Sequence, residues 1–308
     1  MNTRAVALAL FALASAVRAA NVDEELSEVV VSVPEPRYVA PTTRDRIGRV
    51  WVPVEVDGKG PFRLVLDTGA LRSAVTQDMA TRLGLAEKLS APVMLHGATG
   101  SAITPTIAVG TMQVGDLLLQ PRDMPVVADV FGGAEGLLGT EGLQDHRIFI
   151  DFRGDYIAIS RSKNRSAADG FSTVRFLPDP RHLLVVRVNV GGIPVRAIVD
   201  TGAQSTVGNL ALQQELRKRN RRSPLEGANQ VQGATGAWQS GVGVNLPRIE
   251  FGSLVISNAH ATFMDLHIFD QWSMNKEPAL LIGMDIIGLV DQLVIDYRRK
   301  ELQIKPRT

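Results

Sequence analysis

Apolar and polar positions alternate with a period of two along much of this chain. Val54 and Val56 are interleaved with Glu55 and Asp57, the pattern of a strand with one face buried. Residues 64–66 and 197–199 are short unbroken apolar runs, as expected of strands buried on both faces. Each runs directly into an Asp-Thr-Gly triplet. Asp57-Gly58 and Gly191-Gly192 supply hairpin turn signals just upstream. A helical period appears briefly after each triplet, over residues 76–83 and 210–217, with Gly84 as a stop for the first. Pro92 and Pro247 keep the stretches that follow out of helix. With 28 Gly and 16 Pro separating many short apolar runs, the prediction is an all-β fold. Residues 29–33 also read as a strand. The arm that contains them is expected either to complete a sheet between two lobes or to stand free.

The pattern is written twice. Arg63-Leu64-Val65-Leu66-Asp67-Thr68-Gly69-Ala70 returns as Arg196-Ala197-Ile198-Val199-Asp200-Thr201-Gly202-Ala203, 133 residues later. Gly97-Ala98-Thr99-Gly100 returns as Gly233-Ala234-Thr235-Gly236 at 136, and Leu137-Leu138-Gly139 as Leu281-Ile282-Gly283 at 144. Ile150-Asp151-Phe152-Arg153 returns as Ile295-Asp296-Tyr297-Arg298 at 145. Order is kept and the offset drifts slowly, so the chain is a duplicated domain with small loop insertions, not a solenoid. The polar stretch 161–170 lacks apolar periodicity and marks the boundary. The expected organisation is a leader over 1–19, an arm over 20–45, a first lobe over 46–160, the linker, and a second lobe over 171–308.

A buried strand that ends in Asp-Thr-Gly places a carboxylate on a tight loop. Glycine permits backbone geometry that other residues resist, and the Thr hydroxyl can bond locally or across to a neighbouring loop. Two such loops face to face would bring Asp67 and Asp200 within a few ångströms of one another. Both could not then ionise cheaply, so one proton would be shared. The ionised member could activate a water, and the protonated member could polarise and protonate an amide carbonyl. That pair suffices for peptide hydrolysis without metal or cofactor. One Asp-Thr-Gly is an ordinary turn sequence; two, each after Arg and three apolar residues and each before Ala, are not explained by turns.

These residues resemble the retropepsin-like aspartic proteases, within the wider pepsin-like group, and the resemblance covers about residues 48–306. It rests on apolar-apolar-Asp-Thr-Gly-Ala in both halves, a hydroxyl six residues after each Asp (Ser73 and Thr206), the two glycine-rich hairpin tips, the apolar-apolar-Gly at Gly139 and Gly283, and the apolar-Asp-aromatic pairs Asp151-Phe152 and Asp296-Tyr297. It implies a bilobal fold of two similar closed β lobes with the active site between them and Asp67 and Asp200 as the catalytic dyad. Thr68 and Thr201 would interlock the loops, and Gly69 and Gly202 would let substrate backbone approach. Hairpins tipped by Gly97, Ala98, Thr99 and Gly100, and by Gly233, Ala234, Thr235 and Gly236, would fold over an extended peptide. Two departures stand out. Viral members build the site from two identical chains, whereas this chain carries both halves, so a monomer is expected. Pepsin-type enzymes carry a flap tyrosine, but Tyr38, Tyr156 and Tyr297 all lie far in sequence from either tip.

Composition narrows the rest. A net charge of +1 and 5% aromatic content argue against nucleic acid as a partner. The absence of cysteine excludes disulfides, thiolate metal sites, a catalytic thiol and a lipid-anchoring Cys. His96, His146, His182, His260 and His267 show no zinc-type spacing, so no metal is expected. Arg4 followed by the apolar residues 5–17 reads as an export signal cleaved after Ala19. No later segment is long and apolar enough to span a membrane, and the predicted location is periplasmic or extracellular. The basic run from Arg217 to Arg222 fits a solvated helix end. Trp51 reads as core, Trp238 as either a substrate contact or a packed strand residue, and Asp151 and Asp296 as structural carboxylates. Against an endopeptidase stand a catalytically silent peptide-binding module of the same fold, and a two-carboxylate glycosidase, for which paired Thr-Gly and glycine-rich hairpins give no reason.

Overall fold

The computed structural model describes residues 29–32, 49–85, 89–114, 117–121, 123–154, 156–219 and 225–307. The expected leader and most of the expected arm lie outside the described residues.

The duplicated pattern folds into two sheet bodies. A nine-stranded sheet is built from strands between residues 51 and 138, and a ten-stranded sheet takes its strands from 185–282 together with Val29–Ser32. In the first, Trp51–Val56 and Lys59–Leu66 form the hairpin turned by Asp57-Gly58. Val52, Val54 and Val56 are buried while Glu55 faces solvent. Leu64, Val65 and Leu66 are fully buried because strands flank them on both sides, Trp51–Val56 antiparallel and Gly136–Leu138 parallel. The second body repeats this: Ile193–Val199 lies between Val185–Val190, antiparallel, and Ala279–Ile282, parallel. The repeated apolar-apolar-Gly segments are thus the parallel neighbours of the strands that deliver the two aspartates.

Four short helices occur among the described residues: α1 (Gln77–Leu83), α2 (Leu210–Arg219), α3 (His267–Gln271) and α4 (Met284–Ile287). For α1 the sequence signals act as expected. Thr76 caps it by accepting from the Met79 backbone N–H, and Gly84 ends it with φ of 75°. No helix among the described residues is long and apolar enough to cross a membrane.

A third sheet, of five strands, draws on both halves. Its order is Tyr156–Arg161, His146–Asp151, Gln292–Asp296, Glu301–Lys305, Ser172–Arg175. The closing strands of the two repeats therefore pair with each other, Arg147 opposite Asp296 and Asp151 opposite Gln292. The stretch 161–170 runs from one edge strand of this sheet to the other. Asp151 and Asp296 hold turns within it: Asp151 Oδ1 accepts from the Arg153 and Gly154 N–H groups, and Asp296 accepts from the Ser162 hydroxyl and the Arg299 N–H. Val29–Ser32 pairs in parallel with Leu254–Ser257 on the outer edge of the ten-stranded sheet, not between the lobes.

Candidate active site

Each buried strand leads its aspartate into a loop that the parallel neighbour fixes. The Asp67 N–H donates to Leu138 O at 2.9 Å, and the Asp200 N–H to Ile282 O at 3.0 Å. The loops then fold back on their own carboxylates. Gly69 N–H donates to Asp67 Oδ1 at 2.9 Å, while Gly202 N–H (2.8 Å) and Ala203 N–H (3.1 Å) donate to Asp200 Oδ1.

The loops are locked to one another by the threonines. Thr68 Oγ1 donates to Val199 O and Thr201 Oγ1 donates to Leu66 O, both at 2.6 Å. In return the Thr201 N–H donates to Thr68 Oγ1 at 3.0 Å, and the Thr68 N–H to Thr201 Oγ1 at 3.2 Å. Both threonines are fully buried, so each of these four bonds satisfies a group that water cannot reach. Each carboxylate then rests against the opposite loop. A Cβ built on Gly202 would lie 2.5 Å from Asp67 Oδ2, and one on Gly69 would lie 2.5 Å from Asp200 Oδ2. The close approach that these glycines permit is that of the partner aspartate.

Asp67 and Asp200 hydrogen-bond to each other in a buried setting. Burial, the Asp200 charge and that hydrogen bond hold the Asp67 carboxyl well above the ordinary carboxylate range. Burial raises Asp200 as well, but the Gly202 N–H, the bond from Asp67, the Ala203 N–H and the Arg49 charge oppose it. Two carboxyls so placed cannot both ionise cheaply, so the pair shares one proton. Such a pair holds one carboxylate able to take a proton and one carboxylic acid able to give one.

Ser73 and Thr206 stand behind the loops. Ser73 Oγ accepts from Gly139 N–H at 3.0 Å, and Thr206 Oγ1 from Gly283 N–H at 3.2 Å. Behind each is an acid that the sequence reading missed. Glu141 Oε1 accepts from Ser73 N–H at 2.6 Å; Asp285 accepts from both the Thr206 N–H, at 2.9 Å, and its hydroxyl, at 2.8 Å. Burial raises both acids, against the lowering effect of those hydrogen bonds. A signal was present: each acid stands two residues past its repeated glycine, in Leu-Leu-Gly-Thr-Glu and Leu-Ile-Gly-Met-Asp.

The glycine-rich segments are hairpin tips, Leu89–Gly97 with Gly100–Ala108 and Leu225–Gln232 with Trp238–Asn245. They meet each other. Thr99 Oγ1 donates to Ala237 O at 2.8 Å and accepts from Gly233 N–H at 3.1 Å. Each tip also reaches the opposite lobe: Ile268 N–H donates to Ala98 O, and Ala128 N–H to Ala234 O. Two apolar clusters are bridged in this way. Ala70, Val127 and Phe131 of the first lobe are joined by Leu95 and Ala234, and Ala203, Ile268 and Phe269 of the second by Ala98 and Val231. Gly97 and Gly233 allow the tips to close on Thr235 and Thr99, whereas a Cβ on Gly100 would meet only Ala237 at 3.7 Å. Thr235 Oγ1 is buried without a hydrogen-bond partner. Trp238 is 61% exposed beside the second tip, and Trp51 packs at the edge of the first-lobe cluster with the Arg63 guanidinium 4.9 Å above its ring.

A family model described as aspartyl protease matches residues 52–141 and 186–286, one segment around each of the two loops. No curated protein matches the chain.

Proposed function

We propose that this chain, which belongs to the aspartyl protease family, is an endopeptidase of the retropepsin-like type with Asp67 and Asp200 as its catalytic dyad. The observation that carries the reading is reciprocal. Each carboxylate lies against the glycine of the other loop, and the loops are held together by buried threonine bonds. A turn-forming Asp-Thr-Gly has no need of a second one placed against it.

In this mechanism Asp200 takes a proton from a water as that water attacks the scissile carbonyl. Asp67 donates its proton to the carbonyl oxygen, so a gem-diol forms without a charged oxyanion. The proton gained by Asp200 then goes to the amide nitrogen as the C–N bond breaks, and Asp67 recovers a proton from the gem-diol hydroxyl. The threonine lock keeps both carboxyls in register, since small misplacements are expensive in catalysis. The hairpin tips roof the site and would have to lift for an extended peptide to enter. Both halves lie in one chain, so the proposed active species is a monomer. The residues 1–19 pattern supports export to the periplasm or beyond, with a mature N-terminus at Ala20.

The test is cleavage of a denatured protein digest, with products identified by mass spectrometry and N-terminal sequencing of the exported enzyme. Activity should be blocked by a transition-state mimic carrying a hydroxyl in place of the scissile carbonyl. A folded protein that binds peptides yet cleaves none would overturn the proposal.

A further inference from the structure

Arg49 is a cation that the fold brings to the dyad without giving it an acid to pair with. Trp51 pairs with Val65, and Val50 O accepts from the Leu66 N–H at 2.8 Å. One step further, the same ladder sets Arg49 against Asp67. Its charge is felt at Asp200, where it opposes the effect of burial. Arg49 Nη1 donates to Val130 O at 3.1 Å, in the loop whose Ala128 receives the second hairpin tip. Arg49 Nε is shielded from water and has no hydrogen-bond partner. Arg82, Arg181, Arg196 and Arg299 each pair with a carboxylate. Among the described residues no carboxylate pairs with Arg49, and neither dyad carboxyl hydrogen-bonds to it.

The second lobe shows what this position needs for folding alone. There Val185 pairs with Ile198, and Leu184 O accepts from the Val199 N–H at 3.0 Å. The same count sets Leu183 against Asp200, and Leu183 is buried in an apolar cluster. An apolar side chain thus serves the fold at this place, so packing does not account for Arg49. A half-buried guanidinium is costly when no anion faces it. Its planar fork of N–H donors matches a carboxylate in two parallel bonds, and the bond to Val130 leaves most of that fork unused.

We infer that Arg49 is a specificity residue whose guanidinium binds a carboxylate on the peptide lying across the dyad. The first-lobe side of the cleft then selects an acidic group, and the second-lobe side, with Leu183 in the matching place, does not. A carboxylate gains charge-assisted hydrogen bonds and gives the cation its missing counter-ion. The matching amide cannot, and selectivity is that difference. An Asp or Glu side chain and the free carboxyl end of a chain both present this group.

That the ligand is a peptide rests on the peptidase reading, so binding and cleavage are measured separately. Extended peptides that differ only in the place of a single Glu, and a matching Gln series, are titrated into the full chain carrying Asp67→Asn, which prevents turnover during the measurement. At one position Glu should bind about tenfold more tightly than Gln, the low end for a hydrogen bond to a charged group. Adding Arg49→Leu, the residue type found at the matching place, should erase that difference. Arg49→Gln should do the same, and either variant suffices if the other does not fold. Arg49→Lys keeps the charge without the fork and should fall in between. With both aspartates present, the ratio of kcat/KM for the same two peptides should follow the binding ratio. An effect of Arg49 on the dyad alone would change both peptides alike and leave the ratio standing. A preference for free over amidated chain ends in place of Glu identifies the chain end as the source of the carboxylate. No preference for Glu or for a free end, or one that persists without Arg49, would overturn the inference. Carboxylate-selective binding without cleavage would count against the peptidase alone, and cleavage indifferent to the carboxylate against the role of Arg49 alone.

Discussion

At the scale of single residues the tightest constraint is the missing Cβ at position 202. A methyl group there would lie 2.5 Å from Asp67 Oδ2, so Gly202→Ala must push the carboxyls apart. A displacement near an ångström at reacting groups costs about a hundredfold. kcat/KM should fall by at least that much, with circular dichroism unchanged. The shared proton makes a second prediction. Activity needs one carboxyl of the pair ionised and the other protonated, so kcat/KM should be bell-shaped with pH. The acid limb is protonation of the pair's carboxylate; the alkaline limb is loss of the shared proton and should lie above the ordinary carboxylate range. The same shift bears on stability. A carboxyl whose pKa is raised on folding contributes stability that is complete below its unfolded pKa and lost as pH rises through the folded value. Asp67→Asn cannot ionise and escapes that loss. Its melting temperature relative to wild type should therefore climb with pH, while cleavage is nearly abolished. Asp67 and Asp200 were legible in the sequence because eight consecutive positions repeat around them. Glu141 and Asp285 were overlooked although they keep the 144-residue offset of the glycines beside them. They differ in side-chain length, and their role depends on the contacts each makes with Ser73 or Thr206, which no local pattern encodes.

At the scale of elements, the lock and the roof behave differently. Thr201→Val keeps shape but leaves Leu66 O and the Thr68 N–H without their buried partners. One orphaned buried group costs about 1–3 kcal/mol. Urea unfolding should therefore show a loss of roughly 4 kcal/mol, the middle of the range for two. Thr68→Val should match it, since the bonds are reciprocal; a loss confined to one variant would show that the loops are not coupled. The hairpin tips were readable from Gly-Ala-Thr-Gly, as were their strands and α1, whose cap and stop are local chemistry. Where the tips rest was not readable. Ala98 meets Ile268 and Ala234 meets Ala128 across the cleft, and an alanine carbonyl carries no sequence mark of the N–H it will accept from.

At the scale of the whole molecule, the two bodies share one sheet. Ile150 and Ile295 repeat in sequence, but a repeat does not name the strand each will pair with. Pairing His146–Asp151 with Gln292–Asp296 converts a tandem duplication into a single unit. The stretch 161–170 only connects the two edge strands of that sheet, and Ser162 and Asn164 anchor its start to Asp296 and Arg299. A protease site inserted between Arg165 and Asp169 should therefore be cut without separating the halves. Ten antiparallel strand residues, the Thr68–Thr201 lock and the joined roof all remain across the cut. What changes is the order of the reaction. Uncut protein unfolds in a unimolecular step, so its melting temperature should not depend on concentration, and activity should rise linearly with enzyme. After cutting, unfolding also releases two chains, so the melting temperature should fall on dilution while cleavage per complex stays near the uncut value. Sedimentation at micromolar concentration should give one species of the full mass before and after cutting. Two half-mass species straight after the cut would show that the linker, and not the shared sheet, holds the carboxyl pair together.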